Sequence, residues 1–230
     1  MKHLPVIIFG TSGSAKEIYL CIKHCNQHPG INHQIFDVMG FISEEESKVG
    51  SAFIDGQKII ASDSTLAAFL KEKEGGGRDE VGAFLPFGFP SVKQKVYQRI
   101  KSFGNIVFPV MLHPSVIYDP DTTYIGSGTI VAAGSIISAD CTIDAFNYIS
   151  SGCILGHDLR MGTFNVLNPR ATISGNVTIG NGCLIGAGST ILQGLSLEDN
   201  ITIGAGAVLT KTAEQGKTYI GVPAKGMKGR

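Results

Sequence analysis

Ile125-Gly-Ser-Gly-Thr-Ile-Val131-Ala-Ala-Gly-Ser-Ile-Ile137 opens a stretch that runs to Leu209 and decides how this chain folds. Every sixth residue is aliphatic: Ile125, Val131, Ile137, Ile143, Ile149, Leu155, Met161, Leu167, Ile173, Ile179, Ile185, Ile191, Leu197, Ile203 and Leu209. Neither the 3.6-residue period of a helix nor the 2.0-residue period of a strand produces a fixed register of six. The position four after each aliphatic is mostly small or modest, as at Thr129, Ser135, Cys141, Asn147, Cys153, Asn165, Ala171, Val177, Cys183, Ser189 and Ala207. The position directly after is often glycine, as at Gly126, Gly156, Gly162, Gly180, Gly186 and Gly204. A large aliphatic, a turn residue and a small inward residue together describe a hexapeptide parallel β-helix.

In such a fold each hexapeptide is one short strand and one turn. Three hexapeptides close a triangular coil, and coils stack through parallel ladders about 4.8 Å apart. A single coil cannot bury its aliphatics, so stability accumulates between neighbouring coils. Asn176, Asn181 and Asn200 are expected at corners with positive φ.

Outward from the repeat, the 230-residue chain has room for one large domain or two smaller ones. Lys+Arg and Asp+Glu number 19 each, so no charge excess favours nucleic acid. No 18-residue apolar run and no basic-then-apolar leader occur, which points to a soluble cytoplasmic protein without a membrane partner. Cys21, Cys25, Cys141, Cys153 and Cys183 are odd in number, and three of them fall on the small inward position, so buried free thiols are expected.

Residues 1–106 carry a different pattern. Pro5–Phe9 is an apolar strand candidate running into Gly10-Thr-Ser-Gly-Ser-Ala15. A helix is expected over Lys16–His28, ended by Pro29-Gly30. Gln34–Ile42 is a second strand. Asp63-Ser-Thr65 caps a helix through Leu70, before the breaker Gly75-Gly-Gly77. Val81–Phe87 is a third strand, Ser91–Lys101 a helix and Ile106–Val110 a last strand. Alternating strands and helices imply a small Rossmann-like parallel α/β domain over 1–106, followed by a β-helix over 107–230 that ends in a mobile tail, Gly226–Arg230.

One residue in the repeat suits proton transfer. His157 lies two positions past the inward Leu155, so it faces outward on a rigid corner, and an imidazole titrates near neutrality. Asp158 is the nearest carboxylate in sequence that could orient it. In the first domain, a strand, a glycine-rich turn and a helix start present backbone N–H groups that suit a phosphate.

Gly10-Thr-Ser-Gly-Ser-Ala-Lys-Glu17, the hexapeptide array, His157-Asp158, Ser174-Gly-Asn-Val-Thr-Ile-Gly180 and Gly221-Val-Pro-Ala-Lys225 occur in this order over nearly the whole chain. In that series the sequence resembles the sugar O- and N-acetyltransferases of the sialic acid and bacillosamine type. The resemblance implies a left-handed coil and a homotrimer with acetyl-CoA in clefts between adjacent β-helices. It makes His157 the general base and Asp158 its acidic companion, as an amino or hydroxyl group of a nucleotide-linked sugar attacks the thioester. It places Ser12, Gly13 and Ser14 near the nucleotide phosphates, with Ser43, Glu44 and Gly88 lining the nucleotide end. It sets the acetyl donor at Val166 and along Gly186-Ala187 and Gly204-Ala205.

The chain departs from that family pattern in several places. Ser14 stands where the family usually has His in the glycine loop. Val166 replaces a second His associated with the donor, and Ser150 replaces an Asn seven residues before His157. Phe89 and Pro90 stand where acidic or Asn residues are common. These departures keep open a catalytically inactive trimeric scaffold or sugar-nucleotide-binding protein on the same fold. A metalloenzyme needs three His at a subunit interface, and the repeat offers only His113 and His157, so no metal is expected. A dehydrogenase needs a full dinucleotide fold, which the first domain is too short to supply.

Overall fold

The computed structural model describes residues 2–28, 34–74 and 80–227. The Pro29-Gly30 helix stop, the Gly75–Gly77 breaker and the last three residues of the tail lie outside these. The chain divides into two compact units. One comprises the residues up to Phe87 with Lys93–Pro109, and the other Gly88–Val92 with Val110–Arg230.

The first unit is a twisted sheet of β1 (Lys2–Phe9), β2 (Gln34–Ser43), β3 (Ala52–Ile54), β4 (Gln57–Ser62), β5 (Val81–Phe84) and β6 (Ile106–Val107), in the order β3-β4-β2-β1-β5-β6. Its neighbours pair in parallel except β3 with β4. Val6, Ile7 and Ile8 in the central strand β1 are wholly buried, as expected of a parallel strand. The β3–β4 hairpin, which the apolar pattern did not suggest, turns on Asp55-Gly56 with φ of 49° and 76°. An Asp-Gly pair accepts that mirror-image turn readily. Helix α1 spans Gly13–Gln27 and buries Ala15, Ile18, Tyr19, Ile22 and Cys25 at three- and four-residue spacing. It begins earlier than Lys16 because the glycine turn supplies its first turn. Asn26 then locks α1 to β2, accepting from the Phe36 N–H and donating to the Phe36 carbonyl, both at 2.9 Å. Helices α2 (Leu66–Glu74) and α3 (Pro90–Ile100) complete the α/β elements.

The second unit is a three-faced β-helix of two-residue strands. Pairing joins residues 18 apart, one coil of three hexapeptides, as in Ile137–Leu155–Ile173–Ile191–Leu209. The first face runs through Ile130–Val131, Tyr148–Ile149, Val166–Leu167, Leu184–Ile185 and Thr202–Ile203. The second runs from Ile136–Ile137 to Val208–Leu209, and the third from Tyr124–Ile125 to Ser196–Leu197. Every inward aliphatic from Val131 to Leu209 is at most 3 % exposed. Ile125, at the open end of the stack, is half-buried.

The ladder is longer than the sixfold period. Met111–Leu112 pair with Ile130–Val131 before the register locks, and Thr218–Tyr219 pair with Thr202–Ile203 after it ends. Sixteen residues then separate partners instead of 18, and that shorter coil disguises the last rung.

Inside one corner, the Asn147 and Asn165 side chains climb from coil to coil. The Asn165 N–H donates to Asn147 Oδ1 at 2.8 Å, and the Cys183 N–H donates to Asn165 Oδ1 at 2.7 Å. Fully buried amides are tolerable there because their own N–H groups reach Gly162 O and Gly180 O. The glycines after the inward aliphatics answer to space. A Cβ on Gly186 would stand 2.5 Å from the Gly204 carbonyl carbon in the next coil. Positive φ falls instead three residues past each inward aliphatic. Asn176 and Asn200 take it as expected, with φ of 56° and 58°, but Asn181 does not. Gly182 takes it there, and Asn181 Oδ1 accepts from the Thr163 N–H at 2.8 Å. Phe146 and Phe164 also adopt positive φ, and their rings stack 4.9 Å apart.

Candidate active site

His157 and Asp158 form the corner between the second and third faces. Leu155 and Leu159, both fully buried, anchor the turn on either side. Asp158 sits at φ 57°, a region that Asp tolerates better than most side chains, and its N–H donates to Ala139 O at 3.1 Å. That conformation turns the carboxylate back onto the preceding ring. His157 Nδ1 lies 2.7 Å from Asp158 Oδ2, with both side chains 55 % exposed. An ionised carboxylate only accepts, so in the neutral ring this contact puts the hydrogen on Nδ1 and the lone pair on Nε2. The far edge of the ring rests on Gly175 in the next coil, and the Asn176 N–H donates to the His157 carbonyl at 2.7 Å. Asp140 occupies the equivalent corner one coil earlier, also at positive φ.

On the third face, two residues past Asp158, Arg160 donates to Thr142 Oγ1. These two line an open cleft of about 400 Å3 with Asp121, Tyr124 and Asp140. The sequence signal for this cleft was available: Tyr124, Thr142 and Arg160 are the outward residues of paired strands on one face.

The remaining site residues fall into separate groups. Ser12 is the N-cap of α1, yet its hydroxyl makes no capping bond. Ser12 and Gly13 are exposed and Ser14 is half-buried. The Gly10 N–H donates to Ile42 O at 2.8 Å, joining the glycine turn to the end of β2. Ser43 is buried and accepts from the Glu45 N–H at 3.0 Å, while Glu44 is exposed. The turn after β1 and the end of β2 therefore share the carboxyl edge of one sheet, where β1 separates β2 from β5. Gly88 follows β5 and groups with the second unit.

Val166 is fully buried on the first face, so its side chain offers no surface to a donor in the single chain; Ser150 is buried nearby. Ala187 and Ala205 are exposed and stacked on the corner between the first and second faces, where the Gly206 N–H donates to Ala187 O at 2.8 Å. Gly186 is buried where one coil meets the next, and Gly204 lies beneath Ile220. One chain thus brings His157 to Asp158 but leaves Ala187 and Ala205 on another corner of the prism. The second face between these corners exposes Ile117, Ile136 and Ile154, in register with one another. Among the described residues, no three His, Cys, Asp or Glu converge to hold a metal ion, and no helix is long and apolar enough to cross a membrane.

Residues 158–193 match the bacterial transferase hexapeptide (six repeats), and residues 176–211 match the hexapeptide repeat of succinyl-transferase. No curated protein matches the chain. Among solved structures, it is similar to PerB from Caulobacter crescentus, crystallised with CoA and GDP-perosamine, at 23 % identity and TM-score 0.81 over 97 % of both chains. It is similar to the acetyltransferase domain of PglB from Neisseria gonorrhoeae at 22 % identity and TM-score 0.81, over 97 % of this chain and 99 % of the other. WeeI from Acinetobacter baumannii matches at 21 % identity and TM-score 0.80, over 98 % and 100 %. The chain therefore carries the hexapeptide repeat of bacterial transferases over residues 158–211 and shares its fold with these solved structures.

Proposed function

We propose that the protein is an acetyl-CoA-dependent acetyltransferase that acylates the amino or hydroxyl group of a nucleotide-linked sugar in the cytoplasm. The observation that carries this is the exposed His157–Asp158 pair, whose 2.7 Å contact leaves Nε2 free as a proton acceptor. In the proposed reaction the acceptor nitrogen or oxygen attacks the thioester carbonyl and forms the new bond. Nε2 takes the proton, the tetrahedral intermediate collapses, and the CoA thiolate leaves. The Asp158 carboxylate holds Nδ1–H and stabilises the imidazolium. The CoA-bound and GDP-perosamine-bound relatives support this choice of co-substrate and acceptor class.

The donor corner at Ala187 and Ala205 does not coincide with the His157 corner of the same chain. We assign the donor groove to Ala187 and Ala205 of one copy beside His157 of the next, in a homotrimer. The exposed Ile117–Ile136–Ile154 stripe supplies apolar surface for such packing. The turn Ser12-Gly13-Ser14, with the unspent Ser12 hydroxyl and the N-terminal N–H groups of α1, is the proposed phosphate holder.

The test is mass spectrometry of products after incubation with acetyl-CoA and a panel of nucleotide-linked amino and neutral sugars. A product 42 Da heavier is expected, as acetylation requires, with equimolar free CoA. His157→Ala should lower turnover by about 10²–10⁴-fold. Equal rates for the wild type and this variant would sink the assignment of the base.

A further inference from the structure

The imidazole of His157 is held at two points, and only one of them is polar. Nδ1 bonds the Asp158 carboxylate. The opposite edge lies on Gly175, one coil further along the stack. A Cβ built on Gly175 would stand 2.6 Å from Cε1 and 2.9 Å from Cδ2, with Nε2 nearer still. At Gly126, Gly156 and Gly186 the nearest obstacle is the backbone of the next coil, whereas at Gly175 the three nearest atoms all belong to the imidazole. Gly175 does not adopt a positive φ, so its backbone does not itself demand glycine. It is buried although it lies on an outward corner.

We propose that Gly175 is a positioning residue for acyl transfer. Its missing side chain makes the seat on which the ring lies, and fixes the direction in which Nε2 is presented. An exposed histidine otherwise samples several rotamers. Here the carboxylate and the seat fix the ring together, so that Nε2 stands at the level of the Ser174-Gly175-Asn176 turn. A methyl group at 175 would lift the ring and break its bond to Asp158. This proposal rests on His157 being the base.

The test is Gly175→Ala, alone and combined with His157→Ala. For the single variant we expect kcat to fall about 30–100-fold, as displacements near 1 Å do, with KM for both substrates within about twofold of the wild type. Its crystal structure should show the imidazole displaced and the hydrogen bond between Nδ1 and Oδ2 broken. The double variant should be no slower than His157→Ala, and should melt with it, because no ring remains to meet the methyl. A Gly175→Ala enzyme with its ring in place, or with kcat within about twofold of the wild type, overturns the proposal. So does a double variant that melts well below His157→Ala, since the coil rather than the ring would then require glycine. An inactive His157→Ala beside a fully active Gly175→Ala defeats the seat alone. An active His157→Ala defeats the functional assignment itself. The crystallographic arm reads the seat whether or not the acceptor has been found.

Discussion

Asp158→Gly separates what Asp158 does for the fold from what it does for the site. Its φ of 57° lies where a side chain strains the backbone by roughly 1 kcal/mol and glycine does not. Glycine also loses about 0.5–1 kcal/mol more conformational entropy on folding. These effects oppose each other and are of similar size. The carboxylate's bond to His157 is half-exposed and contributes at most about 1 kcal/mol to stability. The variant should therefore melt within a few degrees of the wild type. Catalysis should suffer more, because Nδ1–H loses its acceptor and the ring its tether. We expect kcat to fall about tenfold, well short of the loss when a buried carboxylate is removed from such a pair, since water can replace an exposed partner. Asp158→Asn should retain more activity, because its amide oxygen still accepts from Nδ1–H. Free-CoA release with a thiol reagent measures kcat, and differential scanning fluorimetry measures melting. A glycine variant at wild-type kcat would refute the orienting role. One that unfolds at ambient temperature would refute the left-handed corner.

Gly186→Ala should destabilise more than Gly188→Ala by thermal melting. The first Cβ meets backbone in the next coil, whereas the second meets open space and only the strain of its 64° φ. Burial pushes the Cys153 and Cys183 thiols up to about 11, so iodoacetamide at pH 8 should label neither in the native protein and both after denaturation, as read by mass spectrometry. Burial pushes the Lys93 ammonium down to about 7. Between that value and the ordinary lysine range, the unfolded chain holds a proton the folded chain lacks. Stability should therefore rise with pH there, by at most about 1.4 kcal/mol per pH unit. Lys93→Met should flatten that slope in urea titrations from pH 7 to 10; an unchanged slope would count against the burial effect.

The six-residue register survived into three dimensions because it is a local rule repeated along the chain. Each aliphatic packs on its counterpart 18 residues away, so the sequence period and the spatial stack coincide. Where the local rule lapses, legibility lapses with it. Thr218–Tyr219 join the ladder through a shortened coil, and Met111–Leu112 through an irregular entry. Asn181 resembles its corner neighbours in type, but Gly182 beside it takes the positive φ.

The candidate site divides in the same way. His157-Asp158 was visible because an outward imidazole next to a carboxylate is a feature of adjacent residues. Gly175 was not, because its meaning comes from a ring placed one coil away. The burial of Val166 and the separation of Ala187 and Ala205 from His157 were also invisible, since a period of six does not say which of three corners faces which neighbour. The sequence alone determined the β-helix, its inward aliphatic core and the placing of an outward histidine beside a carboxylate, because each depends on spacing along the chain. Only the tertiary structure decided which corners and coils meet, because that depends on closing three hexapeptides into a turn and stacking one turn on the next.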